Sequence, residues 1–197
     1  QPCNDDGLAR FGAIDIDSDE YDNFDLRKYL EIIDKKNIPV VPVKSKSGGL
    51  HIYVFFKEPV KASYVRNFLD KLLFTFGLKA STEIFPKQTQ LGMGSDGKFI
   101  NGNFINLPYY NRNERVGLNL DGTEFTFEQF IKVVEANRKT REELEEFATE
   151  LMRLELTGGA DEFADGPVCL QRLSKSKLDD YRDRFIYNYM VFAKKKY

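Results

Sequence analysis

Ala13-Ile14-Asp15-Ile16-Asp17-Ser18-Asp19-Glu20 carries four acidic residues in eight positions, with isoleucines threaded between the first of them. Together with Arg10-Phe11-Gly12 before it, the alternation reads as a β-strand from Arg10 to Asp17. Residues two apart on a strand share a face and lie about 6.6 Å apart along it. Ile14 and Ile16 are therefore expected in a core, with Asp15 and Asp17 emerging together on the other face. Two carboxylates with oxygens about 4 Å apart repel by roughly 4 kcal/mol at an effective dielectric of about 20, and a cation between them turns that repulsion into binding. The pattern leaves two readings open: a metal site, or a solvated strand edge on which polar and apolar residues simply alternate. A calcium loop does not fit, because Glu20 stands where the turn glycine belongs and Leu26 where the terminal Glu belongs.

Around this stretch, short β-rich runs alternate with helical patterns up to about residue 122, and the remainder is helical. Strands are expected at Ile38–Val43, Leu50–Phe56, Ser81–Phe85 and Asn103–Leu107, and helices at Phe24–Lys36 and Ala62–Phe76. Further helices are expected at Thr126–Asn137, Thr140–Leu156 and about Lys177–Lys196, with Gly158–Pro167 as a linker. This gives an α/β (α+β) core over residues 1–122 and a C-terminal helical domain over 123–197. The 197 residues suffice for one sizeable core. A hydrophobic content of 42% and a charged content of 30% are those of a globular chain. No apolar run approaches the roughly 20 residues of a membrane helix. The start lacks the features of a signal peptide, so an excised domain of a longer cytoplasmic protein is expected. Two cysteines and one histidine are too few for a disulfide framework or an ordinary zinc site. The net charge of −2 excludes a global basic signature for nucleic acid, so such a partner would be met by a local patch or through metal ions.

Two more groups bear on the acidic pair. Glu83, in Ser81-Thr82-Glu83-Ile84-Phe85-Pro86, alternates with Ile84 as Asp17 does with Ile16, and offers a third oxygen ligand or a plain surface carboxylate. His51 follows the turn Lys44-Ser45-Lys46-Ser47-Gly48-Gly49. A solitary histidine at the head of an apolar strand is commonly structural. The hydroxyls, Lys46 and two glycines beside this one also suit an oxyanion such as a phosphate. The turn is not a P-loop, because it enters a strand and lacks the required spacing.

Asp-x-Asp on a strand, a serine-rich glycine turn leading to a histidine, and then a strand with one acid is the motif order of the archaeo-eukaryotic primase superfamily. The chain resembles the primase-polymerases of phages, plasmids and mobile elements. Glu83-Ile84-Phe85-Pro86-Lys87-Gln88, Gly102-Asn103-Phe104-Ile105-Asn106-Leu107-Pro108, Gly166-Pro167-Val168-Cys169-Leu170 and the closing run from Phe185 to Tyr197 extend the likeness over most of the chain. The resemblance implies a primase core with an RRM-like sheet plus a C-terminal helical bundle. It implies template-directed nucleotidyl transfer from (d)NTPs, with single-stranded DNA template and primer as partners and further domains such as a helicase in the full-length protein. Asp15, Asp17 and Glu83 would hold Mg2+ or Mn2+ in a two-metal arrangement without zinc. Ser45, Lys46, Ser47 and His51 would contact the triphosphate, Lys87 would add charge, and Asn103 and Asn106 would reach sugar or base. Phage origin would place the protein in a bacterial cytoplasm. The stripe Tyr181, Phe185, Tyr189, Phe192 on the closing helix reads as packing within a small helical bundle. The resemblance implies that such a helical domain also contacts template or the initiating nucleotide, so removing the C-terminal helices is expected to spare elongation and abolish initiation. The competing readings are an inactive RRM-like nucleic-acid-binding module and a metal-dependent nuclease or phosphoesterase. Four acid and histidine motif residues argue against the module, which has no use for acids facing phosphates.

Overall fold

The computed structural model describes residues 2–110, 114–157, 167–173, 186–191 and 194, with the side chains of 152–157 and 173 left aside. Strand β1 (Leu8–Ile16) leads through a single 3-10 turn at Ser18–Glu20 to helix α1 (Leu26–Lys35), which Asp25 caps by accepting the Arg27 backbone N–H. Strands β2 (Val41–Lys44) and β3 (Leu50–Lys61), helix α2 (Ala62–Phe76) and strand β4 (Glu83–Phe85) follow. The four strands form one sheet in the order β2-β3-β1-β4, with every neighbouring pair antiparallel. A β-α-β-β-α-β chain in that order is the split-βαβ arrangement of RRM-like folds.

Strand alternation divides the sheet's residues between two cores. Ile14, Ile16, Leu50, Ile52, Val54 and Ile84 face α1 and α2, meeting Tyr29, Leu30, Ile33, Leu69 and Leu72. Helix α4 (Arg141–Thr157) completes this layer with Leu144, Ala148 and Leu151. The opposite face carries Ala13, Val41, Val43, Tyr53 and Phe85, covered by Ile105 and by Phe130 of helix α3 (Phe127–Asn137). A reciprocal cap of Thr126 and Gln129 starts α3. The change of composition near residue 122 is thus a change from sheet to helix, and the packing crosses it.

Helix α5 (Val168–Leu173), which the pattern did not suggest, buries Leu170 and places Arg172 over the Phe74 ring. Asn103–Leu107 is not a strand: its groups bond to side chains of Gln88 and Tyr53 instead of a ladder. Strand β2 starts three residues later than expected and β3 runs five residues further, because Lys61 and Val60 pair with Leu8 and Ala9 beyond an irregularity in register. Most of the expected closing helix, with Tyr181, Phe185 and Phe192, and the linker up to Gly166 lie outside the described residues. Residues 186–191 are helical, and Tyr189 is exposed. Among the described residues no helix is long and apolar enough to cross a membrane.

Candidate active site

The register decides which of the sequence's polar residues meet. On the sheet face covered by α3, Asp15 of β1 pairs with His51 of β3 on one side and with Glu83 of β4 on the other. Directly opposite residues have Cβ atoms about 4.5–5.5 Å apart, so the three side chains form one row across three strands. Asp17 follows one residue past the end of β1, two positions from Asp15. Ala13, Tyr53 and Phe85 make the next row inward, so an apolar floor lies directly beside the charged row.

The row opens into a cleft of about 520 Å³. The metal- and nucleotide-site residues expected from the sequence all line it: Asp15, Asp17, Ser45, Lys46, Ser47, His51, Glu83, Lys87, Asn103 and Asn106. His51 is 5% exposed, and its Nε2 lies 3.0 Å from Asp15 Oδ1, an ion-pair distance without the angle of a hydrogen bond. Asp15 Oδ1 and His51 Nδ1 are buried polar atoms lacking a hydrogen-bond partner. Burial and the neighbouring charges of Asp15, Asp19 and Glu83 push the Asp17 carboxyl pKa up, against the pull of His51. Such groups gain from a cation.

The turn before His51 is built against β1. Its hydroxyls Ser45 Oγ and Ser47 Oγ lie 2.9 Å apart, and Ser18 Oγ donates to the Ser47 carbonyl at 3.3 Å. A Cβ on Gly49 would come within 2.1 Å of the Ile16 carbonyl oxygen. The close approach that this glycine permits is therefore to the end of β1, not to a phosphate, and it keeps the serines beside Asp17. The cations are already matched: Lys87 Nζ is ion-paired with Glu83, and Lys46 Nζ lies 3.5 Å from Glu114 Oε2. Arg66 of α2 donates to the carbonyls of Pro86 and Lys87 at 2.8 and 3.0 Å, fixing the backbone that presents Lys87.

Asp15 and Asp17 fit a hard divalent cation, as an orphaned carboxylate oxygen next to a carboxyl under repulsion. Among the described residues no three acidic, histidine or cysteine side chains converge as a ready cage. Mg2+ is commonly held by one or two carboxylates plus substrate phosphates, so two aspartates with Glu83 in reserve suffice.

Residues 2–146 match the family described as "TOTE conflict system, Archaeo-Eukaryotic Primase domain". The chain belongs to this family. Comparison with curated proteins gives no match. The match places the chain with nucleotidyltransferase-like primase domains, in agreement with the motif order, and it runs through α3 into α4.

Sequence reasoning missed part of this primase domain's cleft. Arg115, whose side chain is 12% exposed, lines it because residues 116–118 run beside β2, with Lys44 N–H donating to the Val116 carbonyl at 2.9 Å and Leu118 N–H to that of Pro42 at 2.9 Å. Phe104 and Ile105 line it as well. Only the path of the chain beyond β4 brings these residues in, and no local pattern announces them.

Proposed function

We propose that this primase domain carries out template-directed, metal-dependent nucleotidyl transfer, making primers and extending them from (d)NTPs as a DNA primase and polymerase. The observation that carries this reading is the row His51-Asp15-Glu83 across three strands, with Asp17 and the Ser45–Ser47 turn on the same cleft. Asp15 and Asp17, with Glu83, would hold Mg2+ or Mn2+, and Lys87, which pairs with Glu83, would turn to the triphosphate. When bound, the metals supply activation of the primer 3′-hydroxyl and stabilisation of the pyrophosphate leaving group. The remaining work is positioning. Ser45 and Ser47 donate hydroxyls to phosphate oxygens, His51 donates from the strand row, and Lys46, Lys87 and Arg115 offset the charge. Asn103 and Asn106 take the nucleoside end. Tyr53, whose phenol burial keeps protonated, donates to the Asn106 carbonyl at 2.9 Å and fixes that wall. Single-stranded template and primer are the partners, in a reducing cytoplasm, with further domains such as a helicase in the longer protein.

The test supplies single-stranded template, with and without annealed primer, Mg2+ or Mn2+, and NTPs or dNTPs. Extended or newly made strands are expected, falling ~10²-fold or more in Asp15→Ala and Asp17→Ala, the scale of losing one electrostatic stabiliser of a transition state. Products that persist in both variants overturn the reading. Template cleavage without synthesis would assign the site to a nuclease.

A further inference from the structure

Phe104 lines the cleft and is 72% exposed. It belongs to neither core cluster, yet the chain on both sides of it is fixed. The Asn103 N–H donates to Gln88 Oε1 at 2.9 Å, Ile105 is 8% exposed in the core under α3, and the Asn106 carbonyl accepts from Tyr53. The backbone that carries the exposed ring is therefore held on both sides by its anchored neighbours and is not part of a fraying loop end. The cleft also divides by chemistry. Its charged and hydroxyl-bearing groups come from the strand row, the Ser45–Ser47 turn, Lys87 and Arg115, whereas 103–106 is a continuous uncharged wall with amides at Asn103 and Asn106 flanking the ring. A nucleotide combines the same two chemistries, a polyanion and a flat base with hydrogen-bonding edges.

We propose that Phe104 is the stacking platform for the nucleobase of the bound nucleoside triphosphate, an inference that rests on the nucleotide-binding reading above. Every base has a π-face, so a phenyl platform is tolerant of base identity and leaves the choice to the template. Asn106, two residues on, lies within the same wall to meet the base edge or sugar.

The experiment titrates the full chain with dATP and, separately, with inorganic tripolyphosphate, both with Mg2+. Phe104→Ala is expected to weaken dATP roughly five- to hundredfold and leave tripolyphosphate unchanged. The chain contains no tryptophan, so Phe104→Trp gives a single reporter whose emission is expected to be quenched by dATP and not by tripolyphosphate. Equal dATP affinity in wild type and Phe104→Ala overturns the platform while leaving nucleotide binding intact. A parallel loss for both ligands overturns it too, by showing a structural role. Wild type that binds neither ligand sinks the nucleotide-binding reading, and this inference with it.

Discussion

Asp17 stands where burial and the carboxylates of Asp15, Asp19 and Glu83 act in one direction and only His51 opposes them. Its folded-state pKa is raised above that of the unfolded chain. The ionised form present at neutral pH therefore destabilises the fold, and the penalty fades as pH falls through the raised value. Asp17→Asn is expected to melt above wild type at pH 7, to converge with it toward acid pH, and to make no product. Melting curves from pH 4 to 8 check this; a variant less stable throughout would mean that the carboxylate makes structural hydrogen bonds. At this scale the sequence was readable where the period of two applies, since Asp15, Asp17 and Glu83 lie opposite the isoleucines that face the core. That His51 and Glu83 flank Asp15 was hidden, because register is a long-range property set by how whole strands pair.

The turn between β2 and β3 shows what an element adds. Gly49 abuts the Ile16 carbonyl, whereas Gly48, at φ +88°, has no backbone neighbour within 4 Å of a built Cβ. Gly49→Ala must push the turn off β1 and is expected to cost about 1–3 kcal/mol, in the range of other overpacking changes. That corresponds to roughly 2–4 °C of melting temperature per kcal/mol in a chain of this size. Nucleotide affinity should fall with it, because Ser45 and Ser47 move; thermal melts and dATP titration read both effects, and an unchanged dATP affinity would separate the turn from substrate. Helices α1 and α2 were legible from apolar spacing, and α3 and α4 from their acidic first turns. The 103–107 segment read as a strand because alternation alone does not reveal whether a backbone finds a ladder or side chains.

Across the molecule, both faces of one sheet are covered, and the later helices supply part of each cover. Phe130, Leu144 and Leu151 are each at most 5% exposed, and burying such a side chain contributes about 1.5–3 kcal/mol. Their combined removal rivals the roughly 5–15 kcal/mol by which domains are stable. A chain ending at Gly122 is thus expected to show no cooperative unfolding transition, so it cannot isolate elongation from initiation as the family resemblance implied. A chain ending after Leu173 retains α3, α4 and α5 and should melt cooperatively. Calorimetry on the two truncations decides, and a cooperative transition in the shorter one would show that the sheet stands without its later helices. The compositional break at 122 was visible in the sequence; that the packing ignores it follows only from three-dimensional contacts.

The pairing of Lys46 with Glu114 and of Lys87 with Glu83 carries a consequence for ionic strength. On the proposed reading, an arriving phosphate exchanges places with tethered carboxylates, so few dissolved anions are set free. Nucleotide affinity should then decline only gently between about 50 and 200 mM salt, unlike that of an open basic groove. Glu114→Gln leaves Lys46 to gather anions from solution and should steepen that decline; identical slopes in titrations of the two proteins would show that the internal carboxylate does not act as the resident counterion.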